Sequence, residues 1–360
     1  MKKLLFSITI FILAAVCVTS CKKDDPVLVE YFEVIFKEEF NNTLYPSLLY
    51  SLPSLQEQYD FTLGLFTVAI VPKEPIDIRL VAEASALSDE TTVITYEDAT
   101  GTLVSYHSLD WKYDELKNLT QGGTVDITFV LYINEKEAAR KTLNLKYSSV
   151  NECFLHYVDK ENNRIVNFSS ILASYVNEDS PAIESFMDEV LATSTLITEF
   201  TEYTNGYEEV INQANAIFTR LREKGISFGG YNASILTTNE SCVTRYIRFA
   251  DEVLTDDQAN CVDGAIFFSS VLQKIGIDPY IFFDPDHVYI GFYIDQGRTT
   301  FRSLDIASIG NNDISFEDAM AINEERRTEN MSLYTNEDYS DGYYIISVNE
   351  TRKILSPIGR

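Results

Sequence analysis

The sequence predicts a two-domain chain, with an all-β sandwich over residues 28–150 and an α+β domain over residues 180–360, joined by a connecting segment at 151–179. Three observations carry this reading. Through most of the first part apolar and polar residues alternate, the period-two signature of half-buried strands. Beyond Ser180 the apolar period becomes 3.6, and helical stretches give way to short strand-like runs. The composition, 45% hydrophobic and 12% aromatic over 360 residues, is enough to fill two cores.

The chain opens on MKKLLFSITIFILAAVCVTSC, with Lys2 and Lys3, an apolar core and then small residues, the layout of a bacterial export signal over residues 1–20. The core is too short and wrongly flanked for a spanning helix. Its end, VTSC, resembles the lipobox of bacterial lipoproteins, which implies cleavage before Cys21 and a lipidated Cys21 as the new N-terminus. Residues 21–27, with the charged and proline-stopped KKDDP, read as a solvated tether. They are similar to the segments that follow the lipidated cysteine in surface lipoproteins of Bacteroides-like bacteria. The resemblance implies an outer membrane lipoprotein, periplasmic or surface-exposed. It also implies multiple acylation, because a single acyl chain binds a bilayer only reversibly.

Charge excludes two classes of partner. The formal charge of −27 becomes −29 when Lys2 and Lys3 leave with the signal, and the 28 lysines and arginines form no basic face. Nucleic acid, which needs such a face, is therefore not an expected partner. Nor would charge hold the chain to anionic headgroups, so membrane attachment falls to the lipid.

The strand-like runs of the first part are LVEYFEVIFKEEF (28–40), FTLGLFTVAIV (61–71), IDIRLVAEA (76–84), TTVITYED (91–98), TVDITFVLYI (124–133) and KTLNLKYS (141–148). Pro, Gly, Asn and Asp turn signals separate them, and this spacing argues an immunoglobulin-like sandwich. No catalytic cluster falls there; His107 reads as a strand residue. NECFLHYVDKENNRIVNFS (151–169) reads as a connecting hairpin with ENN at its turn. Two amphipathic helices follow, PAIESFMDEVLATSTLITEF (181–200) and YEEVINQANAIFTRLREKG (207–225), the second ending in Lys and Arg before Gly225. ISFGGYNAS is extended, RFADEVL leads to Cys261, and NCVDGAIFFSSVLQKIGI (260–277) is an apolar helix closed by Gly276. Three strand-like runs come next, DPYIFF (278–283), HVYIGFYID (287–295) and TTFRSLDIAS (299–308).

Of the five cysteines, Cys17 leaves with the signal and Cys21 takes the lipid, so Cys153, Cys242 and Cys261 remain. In an oxidising location an odd count implies one disulfide and one free thiol, with Cys153 and Cys242 as the pair that spares Cys261; both could equally be small buried hydrophobes. Three scattered histidines, His107, His156 and His287, and no CxxC motif give no metal-ligand spacing, and neither metal nor cofactor is expected.

Cys261 is either a packing residue or a nucleophile. A helix N-terminus favours the thiolate through its unpaired N–H groups, and a nucleophile also needs a base. His287 opens the second strand after the cysteine helix, so an antiparallel pair packed on that helix would bring the imidazole back to the thiol. Asp305 and Asp295 are the carboxylates that could orient the ring; a strand meander favours Asp305. Asp263 reads as a first-turn carboxylate favoured by the helix dipole, and Arg245 and Arg248 as structural ion pairs sooner than anion binders.

NCVDGAIFFSSVLQKIGIDPYIFF, DPDHVYIGFYID and FRSLD resemble the transglutaminase-like cysteine superfamily, papain-like in its chemistry, in the order of Cys, apolar helix, Gly-Ile hinge, strand, His-led strand and Leu-Asp. NAIFTRLREKGISF, RFADEVL, SFEDAMAINEERR and YYIISVNETRKILSPI (343–358) extend the match, so the resemblance covers residues 180–360. It implies Cys261 as nucleophile, His287 as base and then acid, and Asp305 as orienter. One departure is Val288-Tyr289, where the family places Trp after a small residue. The function implied is hydrolysis, or transfer, of an acyl group from a peptide, protein or peptidoglycan-type amide. The competing expectation is a non-catalytic binding or scaffold lipoprotein that presents a glycan- or protein-binding surface.

Overall fold

The structure, a computed structural model, describes residues 28–59, 63–160, 162, 164–229, 235–239, 242–334 and 342–359. The expected signal, Cys21 and tether lie outside the described residues, as do Glu161 and Asn163 of the ENN turn and residues 230–234 of the ISFGGYNAS run. The fold is mixed α/β, with strands in several sheets.

In the first part β1 (Val29–Phe36), β2 (Thr43–Leu44), helix α1 (Pro46–Tyr59), β3 (Phe66–Pro72), β4 (Ile76–Ala82), β5 (Thr91–Ala99), β6 (Leu103–His107), helix α2 (Tyr113–Lys117), β7 (Gly123–Ile133) and β8 (Lys136–Tyr147) form two sheets. Their orders are β1-β3-β6 and β2-β8-β7-β4-β5. Alternation explains them: β3 reads FTVAIVP, and Phe66, Val68 and Ile70 are buried while the residues between are not. The inner faces meet at Phe66 and Phe129, whose ring centroids lie 5.2 Å apart. Helix α1 was not expected: the sequence reading placed only turn signals between the runs at 28–40 and 61–71. Pro46 opens the helix, and Pro53 is held inside it by burial of Leu48, Leu49, Leu52 and Leu55.

The stretch after β8 holds β9 (Glu152–Asp159), β10 (Arg164–Asn167) and a 3-10 helix, Ser169–Tyr175. It does more than connect. The sheet order is β10-β9-β13-β12, with β12 at Ile235–Asn239 and β13 at Cys242–Tyr246. The Ser47 hydroxyl of α1 donates to the Glu152 carbonyl at 2.7 Å and accepts from Phe154 N at 3.0 Å, and buried apolar residues run as one cluster from Val34 to Ile358.

The expected Cys153–Cys242 disulfide is not formed; Cys153, Cys242 and Cys261 are all thiols outside any disulfide. In the β9–β13 ladder Cys153 stands opposite Arg245, and Cys242 opposite Tyr157. That register offsets the two thiols along the strands by about 10 Å, beyond disulfide reach. Burial pushes the Cys153 thiol well up, so it behaves as a small hydrophobe.

Helix α3 (Pro181–Thr193) is shorter than expected, because Ser194 accepts from the amides of Leu196 and Ile197 and turns the chain. Then follow α4 (Tyr207–Glu223), β11 (Ser227–Gly229), α5 (Ala250–Asp256), β14 (Gln258–Asn260), α6 (Cys261–Ile275), β15 (Pro279–Asp284), β16 (His287–Tyr293), β17 (Phe301–Leu304), a 3-10 helix (Ile306–Gly310), α7 (Phe316–Tyr334), β18 (Tyr344–Ser347) and α8 (Val348–Arg352). The last sheet runs β17-β16-β15-β18, antiparallel throughout. Val288, Ile290 and Phe292 of β16 belong to the same apolar cluster as α6; Tyr289 belongs to a second one with Phe282 of β15 and Tyr334 of α7. Among the described residues, no helix is long and apolar enough to cross a membrane.

Candidate functional site

The site is built around the start of α6. Asn260 caps the helix: its side-chain oxygen accepts from the amides of Val262 at 2.8 Å and Asp263 at 3.1 Å, while Asp263 accepts in return from the Asn260 amide at 3.0 Å. Cys261 is therefore the first helical residue, at the positive end of a 15-residue helix, and only 2% of its surface is exposed. Gly276 ends the helix in the left-handed region, at φ 93°, where a side chain would be strained.

Two features govern the field at that helix end. The buried Asp263 carboxylate is engaged by Arg248, whose backbone N–H donates at 2.9 Å and whose guanidinium lies at 3.1 Å. Burial pushes the Asp263 carboxyl up, against these bonds and those from Asn260. A carboxylate so engaged has a cation beside it, which screens its charge from the thiol. The second feature is Gly264. A Cβ there would come within 2.7 Å of both Ile306 and Phe228, so the missing side chain lets the first turn of α6 press against the 3-10 helix that follows Asp305.

His287 is the first residue of β16, directly after the two-residue turn of the β15–β16 hairpin. Its Nε2 lies 3.0 Å from Asp305 Oδ1, and the Cys261 side chain is close enough to act on the charge of the ring. The side chains of His287 and Asp305 are 17% and 16% exposed. Burial alone would lower the His287 pKa; hydrogen bonds to Asp305 and Cys261 and their charges overcome it and raise the value to about 9. The Asp305 carboxyl moves the other way. Burial would raise it, but the His287 ring, the Ser308 hydroxyl and the Ala307 amide hold it below its ordinary value.

Asp305 was expected on the strand that pairs with β16. It stands one residue beyond β17, as N-cap of the Ile306–Gly310 3-10 helix. Oδ1 accepts from the Ala307 amide at 3.1 Å and Oδ2 from the Ser308 hydroxyl at 2.7 Å, while the Asp305 amide donates to Ala319 O. Sequence reasoning missed Ser308, although a hydroxyl three residues after an aspartate is a legible capping pattern. It also missed Arg222, read only as a basic end of a helix. Its guanidinium donates to the carbonyls of Ser308, Ile309, Asn311 and Ile314, with the closest at 2.7 Å, and so ties α4 to the loop behind Asp305.

The other candidates lie elsewhere. Asp295 accepts from the Thr299 and Thr300 amides in the β16–β17 turn. Arg248 serves Asp263, and Arg245 is 2% exposed in β13. His107 contacts Ser105 at 2.7 Å at the end of β6, and burial lowers the pKa of both His107 and His156. Tyr289, where the resemblance implies a small residue and then Trp, does not stand open to a substrate: it is fully buried, stacks on Phe282 at 5.0 Å and meets the Tyr334 hydroxyl at 2.8 Å. Among the described residues, no group of three or more His, Cys, Asp or Glu could hold a metal ion.

The arrangement is thus a thiol at a helix N-terminus, an imidazole whose charge it influences and a carboxylate that orients the ring, a geometry able to support nucleophilic thiol chemistry. In comparisons with models of protein families, with curated proteins and with solved structures, the chain matches none of them.

Proposed function

We propose that this chain is a cysteine-dependent acyl enzyme acting on an amide of peptide, protein or peptidoglycan type, with residues 180–360 organised on a transglutaminase-like plan behind an immunoglobulin-like sandwich at 28–150. The observation that carries the reading is His287, held by Asp305 at 3.0 Å and close enough to Cys261 for the thiol to help raise its pKa. In the proposed cycle the Cys261 sulfur attacks the carbonyl carbon. The C–N bond breaks as His287 gives its proton to the leaving nitrogen, and a thioester remains. Water then attacks, yields its proton to His287 and releases a carboxylic acid and the thiol. An amine in place of water would give transfer; hydrolysis is the proposed branch, by analogy of fold. The Cys261 backbone N–H, at the N-terminus of α6, is the proposed first donor to the oxyanion. A lipid on Cys21 would hold the enzyme at the outer membrane.

One observation favours the second reading, a non-catalytic binding or scaffold lipoprotein. Cys261 is 2% exposed, so a substrate carbonyl reaches the sulfur only if neighbouring groups give way.

Iodoacetamide labelling of Cys261 across pH, in the wild-type protein and in His287→Ala, separates the two. The acyl-enzyme reading expects brisk alkylation down to about pH 6 that collapses without His287, as an ion-paired thiolate requires. Equal, slow labelling in both proteins, rising only with alkali, would leave the binding reading.

A further inference from the structure

Helix α7 carries three polar side chains at successive turns of one face, Arg326, Asn330 and Tyr334, and all three reach the same buried carboxylate. That carboxylate is Asp284, 1% exposed, the last residue of β15 and the register partner of His287. Arg326 Nη1 donates to Asp284 at 2.9 Å, Asn330 approaches at 3.5 Å, and Tyr334 donates its hydroxyl proton. The same Arg326 nitrogen lies 3.5 Å from Asp286, the second residue of the turn.

The turn needs such a clamp. Two-residue hairpins favour turns with positive φ because their twist matches that of the strands, yet neither Pro285 nor Asp286 has positive φ. The backbone alone therefore does not fix the direction in which His287 leaves the turn. Arg326 spans the carboxylate that enters the turn and the one within it, and its guanidinium also feels the charge of Asp305.

We propose that Arg326 is a positioning residue for His287: by bridging Asp284 and Asp286 it sets the aim of the imidazole and screens those two carboxylates from the ring. Its meaning for catalysis rests on the acyl-enzyme reading above. The charged and titratable groups around His287 are then Cys261 from α6, Asp305 after β17, Asp284 from β15, Asp286 in the turn and Arg326 from α7. Tyr334 acts at one remove, through Tyr289, whose ring lies 6.3 Å from the imidazole.

The test measures two quantities in each variant: the His287 titration, by proton NMR, and the rate of Cys261 alkylation. In Arg326→Gln the His287 titration should move up by about half a pH unit or more, since two carboxylates lose their cation. Alkylation should slow about ten-fold as the ring loses its aim. Arg326→Lys returns a charge but not the span between two carboxylates, so it should restore the titration while alkylation stays several-fold slow. Met331→Ala, at an exposed position of the same helix, should leave the titration in place and alkylation within about two-fold. If R326Q does not fold, the split between titration and alkylation in R326K decides alone. The proposal is overturned if folded R326Q keeps the wild-type titration and alkylation rate, or if R326Q and R326K lose only melting temperature. Should wild-type alkylation prove independent of His287, the acyl-enzyme reading falls, and the titration shift still decides the role of Arg326.

Discussion

Asp305 holds Nε2 of His287 at 3.0 Å with the same oxygen that caps the 3-10 helix behind it. One carboxylate thus joins the orientation of a ring to the integrity of a turn. Asp305→Asn keeps an acceptor and removes the charge, so the His287 pKa should fall from about 9 towards the ordinary imidazole value. An NMR titration of the ring reads this; an unmoved value would show that the charge of Asp305 does not reach His287.

The raised His287 pKa has a consequence for stability with a definite sign. Because the folded value of about 9 exceeds the ordinary imidazole value of 6.5, the ring contributes stability that is fully present below pH 6.5 and is lost as pH rises through about 9. The contribution is at most about 3 kcal/mol. Denaturant melts of wild-type and His287→Gln should differ most near pH 6 and converge above pH 10. The depressed Asp305 carboxyl acts in the opposite direction, its contribution present at neutral pH and lost on acidification below the ordinary carboxylate range.

Gly264→Ala sets two effects against each other. Alanine gains about 1 kcal/mol in helix propensity, whereas a methyl 2.7 Å from Ile306 and Phe228 overpacks the junction at a cost of about 1–3 kcal/mol. Net destabilisation is expected, together with a displaced Asp305 segment. Circular dichroism melts and Cys261 labelling would report both; a variant more stable than wild type would show that the junction has room.

Replacement of Arg222 by Met should cost about 1–2 kcal/mol, because carbonyls that accept from a half-buried guanidinium are left without it. The loss should centre on residues 306–314, where amide hydrogen exchange would rise first. Uniform exchange across the chain would contradict that placement.

Without a disulfide, reducing agent should leave the melting temperature unchanged in a chain that begins after Cys21. Thiol titration of that chain after denaturation should return three groups, Cys153, Cys242 and Cys261. A titration of one group would restore the pairing that the register of β9 and β13 forbids.

The strands of the first part were legible because alternation is a local property, and β3, β4, β5, β7 and β8 all fall within or overlap the alternating runs. Helix α1 was not, since its leucines are buried by contacts made far along the chain while Pro53 speaks locally against a helix. At the site, the cap of α6 could be read directly: Asn260, Cys261 and Asp263 lie within four residues, and the capping box is a short-range pattern.

By itself, then, the sequence determined the alternation of the strands, the caps of α6 and the chain order of Cys261, His287 and Asp305, all of which depend on spacing within a segment. Only the tertiary structure decided which groups meet. It brought Asp305 to Nε2 of His287 in preference to Asp295, turned Arg222 to the loop behind Asp305 and Arg326 to the hairpin before His287, and offset Cys153 from Cys242. Those outcomes depend on strand register and helix packing between elements tens of residues apart, which local patterns do not encode.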